Sequence, residues 1–342
     1  MKKYNKISLA LVVSGFSSFV SAVDLGEFNG TAVNIGGYIK AEGIFNNPDD
    51  SDSTFDGTAR QSRINFSATK DIEGHQVKGF VEGDFWGASS NGQKTLRLRH
   101  AYVSVDNLTF GQTWNGQFLA VAPFDGEMIN FFGPGIGSIA GDGGTVRPDL
   151  VIHYTKNGFR FTAQDPINED ADLPDLVASY TQRFGNGNGY NVAVTGRDAS
   201  LEDGTDDSDF AAGISLAGKM MLGKNDIRAN VYTGKGMGAY SGVDVAGFGG
   251  ALDAENGDLV SQTGFSVAYR QMFTEKLRGT VRYGQVTVDD LADTKMEMTN
   301  INLIYTWLPN LDVGIEWRDQ SLANHPTRPA GQQVELMAMY KF

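Results

Sequence analysis

Apolar and polar side chains alternate with a period of two along much of the chain. Ile64, Phe66 and Ala68 alternate with Arg63, Asn65 and Ser67. Val77, Gly79, Val81, Gly83 and Phe85 alternate with Lys78, Phe80, Glu82 and Asp84. Leu311, Val313, Ile315 and Trp317 alternate with Asp312, Gly314, Glu316 and Arg318. The same pattern recurs around 227–232, 265–270, 277–283 and 333–342. A period of two sends successive side chains to opposite faces of a strand. Each stretch therefore predicts a β-strand with one apolar and one polar face.

The connections come in two sizes. Short turns fall at Asp71–Gly74, Asp106–Asn107, Lys156–Gly158, Gly185–Gly189, Leu222–Asn225, Thr274–Lys276 and Leu308–Asn310. Longer loops fall at 47–59, 87–94, 115–147, 165–174, 198–208, 235–258, 288–295 and 319–331. Short and long alternate strictly, and seven of one with eight of the other imply 16 strands. The polar member of each pair is often charged. In a sandwich that face would meet water; in a barrel it would line a lumen while the apolar face met lipid. Short turns on one rim and long loops on the other are a habit of membrane barrels, with no counterpart in sandwiches. Aromatic residues also gather near strand ends, at Trp86, Tyr102, Trp114, Tyr180, Phe184, Tyr190, Phe273, Tyr305, Trp307 and Tyr340. Amphipathic rings suit the two membrane interfaces, although ordinary β-propensity enriches them too. The expected fold is all-β: a transmembrane antiparallel β-barrel of 16 strands.

Composition sharpens this expectation. The 342 residues include 43 Gly but only 9 Pro, with no three-residue period, which excludes collagen and most low-complexity disorder. Zero Cys excludes a disulfide scaffold, thiolate zinc sites and thiol catalysis. The net charge of -13 argues against nucleic acid as a partner. At the N-terminus, Lys2, Lys3 and Lys6 precede an apolar core from Ile7 to Val20 and a small-residue cleavage site at Val20-Ser21-Ala22. Residues 1–22 read as a signal peptide. The alternative, a helical anchor, needs about 20 apolar residues and this core is shorter. The three lysines leave with it, so residues 23–342, expected to form one barrel domain, carry -16. No later run is apolar over helix-spanning length.

The longest interval without strand pattern is 115–147. A loop of that length in a compact fold is usually functional or disordered. It carries Pro123-Phe124-Asp125-Gly126-Glu127 and Phe131-Phe132-Gly133-Pro134-Gly135. Such apolar content suits a segment folded into the lumen and packed on the wall; a surface loop in an oligomer contact is the other reading. A 16-strand barrel leaves an aqueous channel, so an inserted loop would set its bore. Strand parity turns Arg63, Arg228, Arg270, Arg278, Arg282 and Arg318 inward, and Arg160 and Arg197 with them. In Leu96-Arg97-Leu98-Arg99 both Arg97 and Arg99 share the inner face, since lipid penalises Arg by roughly 2–4 kcal/mol at mid-depth. Arg147 closes the long loop. Arginines opposite Asp125 and Glu127 would set up a transverse field in a narrow neck, which sorts solutes by charge. The competing reading pairs these arginines with Glu82, Asp84, Glu316 or Glu335 as struts of the wall. The acidic runs Asp49-Asp50 and Asp206–Asp209 lie in external loops and read as solvated faces.

With these residues set out, the sequence resembles the trimeric outer-membrane porins, and among them the DcaP-like porins. The resemblance is carried by Gly36-Gly37-Tyr38-Ile39-Lys40, Ser62-Arg63-Ile64-Asn65-Phe66, Leu96-Arg97-Leu98-Arg99-His100-Ala101-Tyr102, Phe110-Gly111-Gln112-Thr113-Trp114, Phe132-Gly133-Pro134 and Arg147. Its specific part covers about 35–155. The terminal Tyr340-Lys341-Phe342 resembles the usual assembly signal of such barrels. The resemblance implies a homotrimer in the cell outer membrane, contacting lipid and lipopolysaccharide, that passes small hydrophilic or anionic solutes, dicarboxylates among them. It places Arg63, Arg97, Arg99 and Arg147 at an arginine-lined neck, with Asp125 and Glu127 on the loop and Arg278 and Arg282 on the wall. A non-selective general-diffusion channel is the alternative within this class.

An outer-membrane hydrolase and a soluble β-sandwich adhesin are the readings from other classes. A hydrolase needs a nucleophile, a base and an orienter. Only His75, His100, His153 and His325 are present, and no Gly-x-Ser-x-Gly occurs. Ser89-Ser90-Asn91-Gly92 has no neighbouring His. No His pair has ligand spacing, and Gly133–Gly144 lacks the Lys-Ser/Thr of a phosphate loop. No enzyme activity, cofactor or metal is expected.

Overall fold

The computed structural model describes residues 22–87, 94–129, 146–166, 171, 173–201, 207–240, 253–322 and 329–342. The signal-peptide expectation for 1–22 falls outside them, apart from Ala22.

Sixteen strands close one antiparallel sheet. They are β1 (Thr31–Pro48), β2 in two pieces (Thr54–Thr58 and Arg63–Ile72), β3 (His75–Gly87), β4 (Thr95–Val105), β5 (Leu108–Gln112) and β6 (Val151–Lys156). Then follow β7 (Phe159–Gln164), β8 (Asp175–Arg183), β9 (Gly189–Ser200), β10 (Ser208–Leu222) and β11 (Asn225–Lys235). The last five are β12 (Ser261–Met272), β13 (Leu277–Val288), β14 (Lys295–Leu308), β15 (Leu311–Gln320) and β16 (Gly331–Lys341). Each strand pairs with its sequence neighbours. The ring closes where β1 pairs with β16 along Tyr38–Pro48 and with β2 along Ala32–Tyr38 and Glu42–Asn46. Closure gives each of the sixteen strands two neighbours, and lipid would not tolerate an open edge among them.

The short rim is built by residues that accept a left-handed backbone. Glu73 and Gly74 have φ of 54° and 87°, and Asn157 and Gly158 have 52° and 86°. Two successive positive φ values make the turn whose twist matches an antiparallel pair. The same chemistry at Asn29 (φ 51°) and Gly30 (φ 75°) makes a hairpin of Val23–Phe28 with the start of β1. This extra strand was not expected, although Asn-Gly is the strongest short-range hairpin signal. Two further differences concern boundaries. Thr54–Thr58, expected in the first long loop, is strand paired to β1, and β5 stops at Gln112 rather than at Trp114.

The two faces separate as the alternation predicts. Phe66, Val81, Leu96, Leu98, Phe161, Val194, Leu216, Val267, Ile301 and Leu336 are exposed on the outside. Asp84, Arg99, Asn191, Asp226, Asn230, Arg282, Asn300 and Glu316 are buried on the inside. Met337 and Met339 fall on the inner face against the pattern. They are buried with Ile304 against Ile129 of the long loop.

Gly37 sits where β1 passes from one partner to the other. Its φ is +149°, and a Cβ there would lie 2.2 Å from the Arg63 carbonyl oxygen. Gly37→Ala should therefore cost about 2 kcal/mol or more. Gly79→Ala is the control, because nothing lies within 4 Å of a Cβ at that position. Heat-modifiable gel mobility should show Gly37→Ala losing the folded band at lower temperature. Equal behaviour of the two variants would show that the approach at Gly37 is not limiting.

Candidate functional site

The long loop leaves β5 after Gln112 and turns into the barrel at Asn115. Asn115 caps a short helix, α1 (Gly116–Val121), by accepting a hydrogen bond from the Phe118 amide at 2.6 Å. The apolar side of this segment, Ala120, Val121 and Phe124, packs on Val177, Ala193 and Ala217 of β8, β9 and β10. Its polar side is bound as well. Gln117 donates to Ser215 Oγ and accepts from Thr195 Oγ1, both at 2.7 Å. Gly116 is pressed so close that a Cβ would lie 2.7 Å from Thr162 Oγ1 and 2.8 Å from Val177 Cβ.

Beyond α1 the loop crosses the far wall by a chain of ionic and backbone contacts. Arg282 holds the Asp125 carboxylate through two nitrogens at 2.8 and 3.1 Å, and Arg228 donates to the Asp125 carbonyl at 2.8 Å. Gly126 lets the loop lie on the wall; a Cβ there would stand 2.8 Å from Ala268 Cβ. Arg278 grips the Glu127 carboxylate at 2.9–3.0 Å, and Asn302 donates to the Glu127 carbonyl at 2.7 Å. Ile129 is held at both backbone groups. Lys40 Nζ donates to its carbonyl at 2.6 Å, and its amide donates to Glu316 at 2.9 Å. The described part of the loop thus follows the inner wall from β7 round to β1. Residues 130–145, including the Phe131–Gly135 element, lie outside the described residues. The chain re-enters at Val146, whose carbonyl accepts from the Asn115 amide at 2.8 Å.

This geometry corrects one expectation. Asp125 and Glu127 do not oppose Arg282 and Arg278 across a gap; they are in contact with them. A carboxylate carried into a low-dielectric lumen is stable when a guanidinium meets it directly. These two acids and two arginines serve as anchors of the loop.

The other four arginines gather on the arc that the described part of the loop leaves uncovered. Arg63 comes from β2, Arg97 and Arg99 from β4, and Arg147 from the returning loop. A β-bulge in β4 sets them out: Glu82 pairs with His100 and Gly83 with Leu98, leaving Arg99 without a ladder partner. Such a bulge re-aims side chains. Here Arg97, Arg99 and His100 all point inward, while Leu96 and Leu98 stay outside. Asp84 holds both arginines, with Arg97 bound at 3.0 and 2.8 Å and Arg99 at 2.7 Å. Glu82 takes Arg99 at 3.2 Å and Arg63 at 3.5 Å. The wall-strut reading therefore describes Glu82 and Asp84 correctly.

Arg147 differs from the rest. Only 6 % exposed, it stacks 5.0 Å over the Trp114 ring, and Arg99 approaches the same ring at 5.7 Å. Among the described residues no carboxylate lies within ion-pair distance of Arg147. Among the described residues, four guanidinium groups thus share this arc with two carboxylates, Glu82 and Asp84. Trp114, Tyr38 and Lys40 appear in the sequence reading only as strand-end or motif residues, not as residues of the neck. Tyr38 lies under Arg63 at 5.3 Å, and the inward parity of Lys40 was the available signal. Among the described residues no group of metal-ligating side chains is present.

The sequence model of the Gram-negative porin family matches residues 8–342. A search of curated proteins found no match. Among solved structures, the outer membrane channel DcaP of Acinetobacter baumannii superposes with a TM-score of 0.76 at 21% identity, covering 94% of this chain and 100% of that one. The anion-selective porin from Comamonas acidovorans gives 0.69 at 13% identity over 91% and 100%. The trimer form of OmpT from Vibrio cholerae gives 0.62 at 16% identity over 92% and 100%. At these identities the likeness concerns the fold.

The Asp125–Arg282 contact predicts a measurable effect on current through the barrel. Asp125→Asn removes the carboxylate charge that meets a buried guanidinium, a change that typically costs about 3–5 kcal/mol. Planar-bilayer recordings should show severalfold more open-state noise as the loop loosens. Adding Arg282→Met should quieten the current again. A quiet Asp125→Asn channel would show that this pair does not hold the loop.

Proposed function

The chain belongs to the Gram-negative porin family, and from that premise we propose a passive channel that favours small anions of dicarboxylate size. The fold is an outer-membrane channel. Solutes would move down their gradients through water, with no covalent step, no cofactor and no metal. The neck would lie between the third loop and the arc carrying Arg63, Arg97, Arg99 and Arg147. The observation that carries this reading is the guanidinium surplus on that arc among the described residues, with Arg147 stacked on Trp114. Arg97, whose side chain is 28% exposed, is the most accessible member of the Asp84 fork. A carboxylate passing there would exchange water for guanidinium donors in a low-dielectric neck. Asp125 and Glu127 would act indirectly, by fixing how far the loop narrows the bore. The anion-selective porin among the similar structures is consistent with this reading.

We propose further that three copies assemble. Strands β5, β6 and β7 have only five or six residues each, whereas a strand spanning lipid needs about 9–11. A wall that low is protected when a second copy stands against it, and the similar OmpT structure of Vibrio cholerae is a trimer form. Outer-membrane lipid would cover the remaining apolar face, and lipopolysaccharide the acidic external loops.

A second reading, non-selective diffusion, has its own support: Asp84 and Glu82 already neutralise much of the charge on Arg97 and Arg99. Reversal potentials in a salt gradient separate the two. The wild-type channel should prefer anions, and Arg97→Ala with Arg99→Ala should move the reversal potential toward cations. A cation-preferring wild type would overturn the anion reading. An unchanged ratio in the double variant would remove both residues from the neck.

A further inference from the structure

The described stems of a second external loop, 236–240 and 253–260, also pack inside the barrel, while 241–252 lie outside the described residues. This loop is the one between β11 and β12, expected at 235–258 as a plain external loop. Gly236 turns the chain inward with φ of +61°, and its amide donates to the Val260 carbonyl at 3.0 Å. A Cβ at Gly236 would stand 2.6 Å from Ala211 Cβ, so a larger residue does not fit this bend. The outgoing stem then buries Met237 and, in a single helical turn Gly238–Tyr240, Tyr240. The returning stem buries Asp253, Ala254 and Val260. Asp253 ties the stems together by accepting from the Gly238 amide at 2.6 Å while its carbonyl accepts from Val260 at 3.0 Å. Met237, Tyr240 and Val260 complete an apolar cluster with Tyr232, Val286, Val288, Met296 and Met298 of the inner wall.

Both stems are fastened to the neighbouring wall formed by β7, β8 and β9. Arg197 of β9 binds Asp253 at 2.8 Å. Asp175 of β8 accepts from the Tyr240 hydroxyl at 2.5 Å. Gln164 of β7 then joins the two in-folded loops. Its amide nitrogen donates to the Tyr240 hydroxyl at 2.9 Å, and its amide oxygen accepts from Gly116 N at 3.0 Å. Gly116 is the first residue of α1. A continuous hydrogen-bonded chain therefore runs Asp175–Tyr240–Gln164–Gly116, from the sixth external loop to the helix of the third. All four residues are buried.

We propose that the stems of the sixth external loop are a second strap in the mouth, and that Tyr240 and Gln164 are positioning residues for the third loop. The chain transmits the seat of one loop to the start of the other. The bore at α1 then depends on a residue more than a hundred positions downstream. Neither residue faces the arginine arc, so this role is independent of which ions the channel prefers.

The protein has no Cys, so an introduced thiol reports on one place. Ala120 lies between α1 and the wall and is 1 % exposed. In the Ala120→Cys background, a water-soluble methanethiosulfonate should label slowly. Tyr240→Phe removes only a hydroxyl, and Gln164→Leu removes both links. Each should raise the labelling rate roughly three- to tenfold, in keeping with the modest net contribution of buried hydrogen bonds, and raise open-state noise in bilayers. The double variant should label no faster than Gln164→Leu alone, because both act on one chain. Reversal potential and heat-modifiable mobility should stay at the parent values. Unchanged labelling and noise in both single variants would overturn the proposal, and so would additive effects in the double variant. A change in reversal potential would tell instead on the anion reading of the neck.

Discussion

Everything in this molecule depends on closing the sheet through β1. A membrane interior offers no water to spare backbone donors and acceptors, so every strand must have two neighbours. β1 meets that demand with 18 residues that serve three partners. Its first part pairs with Val23–Phe28 on one edge and β2 on the other. Its second part pairs with β16 and with the first piece of β2. Gly37 and Phe342 exchange two backbone hydrogen bonds of 3.1 Å at the handover, so the end of the chain is locked into the seam.

Closure creates an interior whose side chains are polar, and polar groups taken out of water need partners. The barrel answers with loops rather than with water alone. The third loop meets the inner wall through Asp125, Glu127 and Ile129; Arg282 and Arg278 of β13 hold the first two, and Lys40 of β1 with Glu316 of β15 holds the third. The sixth loop meets it through Tyr240 and Asp253. Carboxylates that would otherwise repel solute anions are thus consumed as anchors. Among the described residues, the wall between β2 and β4 carries more guanidinium than carboxylate, because Arg147 returns there from the loop. Structural ion pairs and the field of the neck are in this way two results of one distribution of charge.

Much of this was legible in the sequence. Alternation of seven short turns with eight long loops led to the strand number. Parity led to the inner position of Arg63, Arg97, Arg99, Arg278 and Arg282, and the competing strut reading named Glu82 and Asp84. The Asn29-Gly30 hairpin was legible too and was passed over. Other features left no local trace. Met337 and Met339 break the polar pattern of β16 because Ile129, some two hundred residues earlier, sits on them. The bulge at Arg99 shows no Gly or Pro in its own strand. The sixth loop looks like any Gly-rich external loop, since the residues that hold it lie on β7, β8 and β9.

Local chemistry thus determined the strands, their faces, the turns and the sign of each inner side chain. Those properties follow from a period of two and from turn residues, which act over a few positions. Which charge meets which was decided only in the tertiary structure. An ion pair such as Asp125–Arg282 joins residues far apart in the chain, and its existence depends on how far a loop reaches round a closed wall. The same holds for the surplus at Arg147, which is a property of the charges around it and not of the arginine itself.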